Sequence, residues 1–317
     1  MKNIHQKAVL LFCAFIAPLT FIFTQATQVK DIQAGGASSN SSPNTLICYN
    51  DLLYFEADDN VSGKELYQSD GSALGTILLK DIRPGGTGSS PDYFAVFNNR
   101  LYFQANDGTS GIELWQTDGT ALGTVLFKDI KPGGGNSDPL YMTVANGLLF
   151  FSADENATGR ELYKSDGTMA GTVLVKDINS GAGNSTPDEL LRVGNKLFFE
   201  ATDGSTGREL WVSDGTALGT FLVKDINVGA GSSNLLNLTA VGSLLFFSVN
   251  DGTNGFELWR SDGTNAGTYM VKDINPAGNS NPSDFAAVGN MLFLQRMTMS
   301  MEKNFGRAMA ANWAQVW

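Results

Sequence analysis

Histidine is almost absent from this chain of 317 residues: the only one is His5. It falls in an N-terminal segment that reads as a cleaved leader, so the mature chain is expected to carry no imidazole. That excludes Ser-His-Asp and Cys-His catalysis and any His-ligated zinc or iron centre. Cysteine is nearly as scarce, with Cys13 inside the leader and Cys48 beyond it. One thiol makes no internal disulfide, so stability has to come from buried apolar surface. Basic residues are outnumbered, 21 Lys and Arg against 32 Asp and Glu, for a net charge of -11. Such a balance repels nucleic acid and anionic membrane surfaces. After Phe23 no apolar run is long enough to cross a bilayer.

The leader is recognisable by its parts. Lys2 and Lys7 give a basic start, residues 8–23 an apolar run, and Thr24-Gln25-Ala26 a small-residue exit. Together they predict a signal peptide over residues 1–26, cleaved after Ala26, and hence a secreted or cell-surface protein. An uncleaved anchor helix is the alternative, although the run is short for a span. Cys13 follows the bulky Phe12, which argues against lipid attachment there. Removal of the leader takes two lysines with it, leaving 19 basic residues against 32 acidic ones and a net charge of -13.

What the chain has in abundance is repetition. The phrase Glu-Leu-Trp/Tyr-x-Ser/Thr-Asp-Gly-Thr/Ser returns every 48 residues, its glutamates being Glu65, Glu113, Glu161, Glu209 and Glu257. Each is followed 15 residues later by the lysine of a Lys-Asp-Ile triplet: Lys80, Lys128, Lys176, Lys224 and Lys272. A period of this size marks an array of like supersecondary units. The copies run 43–82, 91–130, 139–178, 187–226 and 235–274, with a partial copy at 283–293.

In the copy at 187–226, turn residues divide the sequence into strands at 188–193, 196–201, 209–213 and 220–226. Gly63, Gly111, Gly159, Gly207 and Gly255 stand in register in the second loop, where a backbone shape cheap only for glycine is expected. The second strand is apolar on both faces, as in Leu149-Phe150-Phe151, Leu197-Phe198-Phe199 and Leu245-Phe246-Phe247. A strand of that kind must be covered on both sides. The resulting fold class is all-β: a β-propeller of four-stranded antiparallel blades, about six of them, its closure depending on strands beyond Phe293. A β-solenoid or a string of separate small sheets is the weaker alternative, because coils are usually shorter and isolated sheets would leave the Phe pairs wet.

Further expectations concern single positions. If Ser213 faces Thr220, simple antiparallel register sets Glu209 opposite Lys224. It likewise predicts the pairs Glu65 with Lys80, Glu113 with Lys128, Glu161 with Lys176 and Glu257 with Lys272. The Trp or Tyr at 67, 115, 163, 211 and 259 reads as packing in preference to a binding surface. Cys48, on a first strand and without a partner thiol, reads as a small buried side chain. The weak calcium candidates are Asp58, Asp59, Asp107, Asp154, Glu155, Asp203 and Asp251, although Asp and Asn before Gly or Ser commonly bond their own turn. No cofactor is otherwise expected. The Ser/Thr-Asp-Gly-Thr loops read as hairpin chemistry. Arg83, Lys131, Arg160 and Arg208 break the repetition on the rim that carries linkers such as 179–187, where a partner contact could be encoded; scattered surface charge is the plainer reading.

The two ends depart from the pattern. Residues 27–32 hold a solitary Lys30-Asp31-Ile32 triplet, expected to be a lone outer strand that completes the last blade. From Leu294 the repeat stops. Synonymous codons exist for 294–317 whose string, read two nucleotides on, spells another Glu-Leu-Trp-Lys-Ser-Asp-Gly-Ser phrase, and the single codons of Met and Trp leave such a reading little freedom. The tail 294–317 is therefore expected to be a frame-shift product not selected for packing.

The phrases Glu209-Leu210-Trp211-Val212-Ser213-Asp214-Gly215-Thr216 and Gly219-Thr220-Phe221-Leu222-Val223-Lys224-Asp225-Ile226 resemble the bacterial ELWxxDGT-repeat family. The resemblance covers the chain after the leader as far as Phe293 and implies an exported or surface-exposed propeller-like protein, with no catalytic residue to carry over. The first expectation for function is a non-catalytic binding or scaffold module for an unknown protein or polysaccharide. Alternatives are a carbohydrate-active propeller enzyme working through carboxylates, which needs no histidine, and a fragment of a larger surface protein.

Overall fold

The structure is a computed structural model and describes residues 28–33, 40–297 and 303–309. The expected leader lies outside the described residues. Among them the chain forms five four-stranded antiparallel sheets and one three-stranded sheet, each a meander in chain order. Two compact units result, one ending at Ser90 and the other beginning at Pro91.

The first unit holds one sheet, made of Asn44–Tyr49, Leu52–Asp58, Lys64–Ser69 and Ile77–Lys80. Its small core joins Phe55, Ala57 and Tyr67, and Ile32 packs against them. The Lys30 ammonium donates to the Thr76 carbonyl oxygen at 2.6 Å. Residues 28–33 thus lie against this sheet but form no ladder, so the lone strand expected there is not present as a strand among the described residues.

In the second unit the first strands of successive sheets stand side by side. Asp92–Phe97 lies against Leu140–Ala145, which lies against Asp188–Val193, then Leu236–Val241, then Ser283–Val288. Each sheet runs outward from there, which is the arrangement of β-propeller blades. The doubly apolar second strand explains the stacking. Phe151 joins a core with Phe97, Tyr102 and Leu114 of the preceding sheet. Phe150, one residue earlier, joins Leu197, Phe199 and Trp211 of the following sheet. Phe198 and Phe247 meet in the next interlayer core. The Phe pairs of these three strands are at most 2 % exposed. Burying one such ring on each side of these three sheets contributes about 1.5–3 kcal/mol per side chain.

Turn chemistry closes the hairpins as the sequence predicts. Asp214 Oδ1 accepts from the Thr216 N–H at 2.8 Å, and the Ser213 and Thr220 hydroxyls meet at 2.7 Å in a buried position. Gly207 sits at φ +71°, and a Cβ there would lie 2.3 Å from the Gly231 carbonyl oxygen. Both its backbone and its surroundings demand glycine.

The last sheet contains Ser283–Val288, Met291–Met297 and Lys303–Met309. Its second strand runs on past Phe293, where the repeat was expected to stop, as far as Met297. The physical reason is Leu294, which takes the place of Phe247 and is buried beside Leu292 and Phe246. Lys303–Met309 then pairs with this strand, Leu292 opposite Ala308, so part of the odd tail is built into the sheet.

Candidate ligand-binding site

The repeated glutamates do not meet the repeated lysines. A bulge in the pairing of the third and fourth strands sets Lys224 opposite Leu210 instead of Glu209, and the same shift recurs with Lys80, Lys128, Lys176 and Lys272. One residue of slip moves a side chain to the other face of a sheet. The expected pairs of Glu65, Glu113, Glu161, Glu209 and Glu257 with these lysines are therefore corrected. Each glutamate is wholly buried and turns toward the linker that follows its sheet. Glu161 accepts from the N–H groups of Ile178, Asn179 and Ser185 at 2.9, 3.2 and 3.1 Å and from the Ser185 hydroxyl at 2.6 Å. Burial pushes these carboxyls up, that of Glu209 to about 7, while the hydrogen bonds pull the other way.

The lysines reach the next sheet instead. Lys176 and Lys224 donate to the carbonyl oxygens of Thr220 and Thr268 at 2.7 and 2.8 Å. Their ammonium groups lie 5.9 and 5.7 Å from the ring centres of Trp211 and Trp259. The aromatic residues at 67, 115, 163, 211 and 259 are 4–6 % exposed, so they belong to the packing.

The loop acids are used within their own loops. Asp59, Asp107, Asp203 and Asp251 each accept from two backbone N–H groups two and three residues on. Partial burial works against their ionisation, yet these bonds outweigh it and hold the carboxyls below the usual range. Asp58 accepts from the Asn60 N–H. Asp154 pairs with Lys131 at 3.0 Å, and Glu155 accepts from the Tyr163 hydroxyl at 2.9 Å. Among the described residues no group of three or more His, Cys, Asp or Glu side chains converges as metal ligands would. On the rim, Arg160 donates to the Asp138 carbonyl oxygen at 2.8 Å, and Arg208 bridges Thr186, Asp188 and Glu200. Both arginines tie a loop to their own sheet. The Arg83 N–H donates to Glu65. Cys48 forms no disulfide among the described residues and is only half-buried, not fully buried as expected.

A different set of residues forms a concavity, and the repeat analysis did not single it out. Every first strand of the second unit carries a bulge whose central residue has a left-handed backbone: Tyr93, Tyr141, Glu189, Asn237 and Asp284 at φ 52–58°. Thr45 holds the same place in the first unit. These positions share one backbone shape and carry unlike side chains. Left-handed non-glycine residues are costly, about 1–2 kcal/mol each, and tend to persist at functional places. In the second unit a cavity of about 310 Å³ opens along these strands. Tyr93 and Phe94 line it from one strand, Tyr141, Met142 and Thr143 from the next, Glu189, Leu190 and Leu191 from the third, and Leu238 from the fourth.

The electrostatics of the cavity follow from its walls. The rings of Tyr93 and Tyr141 lie 5.5 Å apart at 76°, so their planes form a corner. Desolvation by its surroundings pushes the Glu189 carboxyl up although the residue as a whole is exposed, the Asp188 charge adds to it, and Arg208 opposes. Burial and the nearby carboxylates also push the Tyr141 phenol up. At step 48 the copies read Thr, Tyr, Tyr, Glu, Asn, and the flanking positions of the first strand vary as well, so variability marks that strand against the repeated third and fourth strands without singling out the site.

Comparison with known proteins adds little at the level of sequence. No family model and no curated protein matches the chain. Solved structures that it resembles include a prolyl endopeptidase, at 12 % identity and TM-score 0.49 over 87 % of this chain and 42 % of that one. A puromycin hydrolase aligns at 14 % identity and TM-score 0.48, covering 90 % of this chain and 47 % of that one. The β-propeller domain of the Trilobed protease from Pyrococcus furiosus aligns at 8 % identity and TM-score 0.44, over 86 % and 85 % of the two chains. The chain spans about half the length of the first two.

Proposed function

We propose that this chain is an exported, non-catalytic β-propeller module of the ELWxxDGT-repeat type that binds a ligand or partner at the inner-strand cavity. The observation that carries the reading is the contrast between repeated and unrepeated chemistry. The repeated Glu, Lys and Asp residues are engaged in linkers, neighbouring sheets and turns. Three of the unrepeated bulge residues, Tyr93, Tyr141 and Glu189, line the cavity. Hydrolysis of a glycoside needs two carboxyl groups flanking one bond. Among the described residues Glu189 is the only carboxylate lining this cavity, and its neighbour Asp188 is paired with Arg208. This favours binding over turnover.

The test is a two-part assay on the purified chain: retention on immobilised glycans and peptides, and release of dye from chromogenic glycosides. Retention that is lost in Tyr141→Asn, with no dye release, supports the module. Dye release abolished by Glu189→Gln would establish the enzyme reading instead. Export is checked by N-terminal sequencing of material from the medium or periplasm of a bacterial host, where Thr27 is the expected first residue.

A further inference from the structure

We infer that the inner-strand cavity takes an alkylated ammonium group, its cationic head in the corner of Tyr93 and Tyr141 with Glu189 as counter-charge. This rests on the binding-module reading above and adds the class of ligand. The two phenol rings meet edge to face, which covers part of one face with the other's edge; a cation is drawn to the ring face that stays open, since the face carries the negative end of the quadrupole and the edge the positive. Met142 and Leu190 extend the wall with apolar surface suited to methyl groups.

The competing ligand chemistries fit less well. A saccharide asks for many donors and acceptors, and with the Thr143 hydroxyl within bonding distance of the Tyr141 and Leu190 carbonyl oxygens, at 3.1 and 3.2 Å, the lining side chains offer it the two phenol hydroxyls and Glu189. An anion would meet Glu189 in a protein of net charge -11. A neutral apolar ligand would leave the carboxylate covered and unpaired, which is costly. The nearby cations do not fill the role: Arg160 is held by Asp138, and Arg208 by Asp188 and Glu200. An ammonium group meets both the ring faces and the charge, and a cavity of about 310 Å³ accommodates such a head with a short stem.

The experiment is calorimetric titration of the full chain with choline, with its uncharged tert-butyl isostere, with a peptide bearing trimethyllysine, and with cellobiose. Choline or the peptide should bind at least about ten-fold more tightly than the isostere, and Glu189→Gln or Tyr141→Ala should each remove about ten-fold. A preference for choline identifies a free small molecule; a preference for the peptide identifies a protein side chain. Equal binding of the isostere, an unchanged affinity in Glu189→Gln, or silence with every probe overturns the inference. Binding of cellobiose alone overturns it as well while leaving the module reading intact. Thermal melts of each variant establish that it is folded, and Tyr141→Asn, which keeps a residue tolerant of the left-handed backbone, serves as the second cavity variant.

Discussion

Glu161 illustrates how a single side chain can organise a repeat. Its carboxylate is buried, and it is tolerable there because three N–H groups and a hydroxyl point at it. Replacing it by Gln puts an amide NH₂ against at least one of those donors. We therefore expect Glu161→Gln to lower unfolding free energy by about 1–3 kcal/mol in denaturant titrations, with the linker after the sheet losing protection first. An unchanged midpoint would show that the linker does not depend on the carboxylate. Lys176 makes a weaker contribution, because one carbonyl bond and one partly exposed cation–π contact together amount to about 1–2 kcal/mol. Lys176→Met should cost no more than that in the same titration.

At the scale of strands and loops, pH separates two classes of carboxyl group. The linker glutamates have folded values raised above 4.5, so the stability they allow is greatest below that value and is lost as pH rises, for Glu209 until about 7. The loop aspartates Asp107, Asp203 and Asp251 have values lowered from 3.8, so their contribution is present above it and is lost as pH falls. The melting temperature is therefore expected to peak between about pH 4 and 5 and to decline toward neutrality, a profile read by calorimetry across that range. A maximum at pH 7 or above would show that the hydrogen bonds to these carboxylates outweigh the effect of their burial. Strand order, hairpin turns and the two-faced second strand were legible in the sequence because each has its own local signature: glycine and aspartate at the turns, and paired phenylalanines between them. The Glu-Lys register was not. A bulge between Leu210 and Trp211 shifts the partner by one, and spacing alone cannot reveal an extra residue in a ladder. The cavity escaped for a related reason. Its residues are held by left-handed bulges at positions where tyrosine and glutamate give no hint of that backbone. Asn237 is the copy that fits local preference, so Tyr141→Asn should leave stability within about 1 kcal/mol of the parent in denaturant titrations.

At the largest scale, the account depends on successive sheets of the second unit being covered by their neighbours through opposite faces of one strand. Phe150 faces the following sheet and Phe151 the preceding one, although they are adjacent in the chain. The most direct test is hydrogen exchange read by mass spectrometry on Phe150→Ala and Phe151→Ala, each expected to lose about 3–5 kcal/mol. Phe150→Ala should speed exchange in residues 187–226 as well as in its own sheet, whereas Phe151→Ala should speed it in residues 91–130. Changes confined to residues 139–178 in both variants would contradict the account.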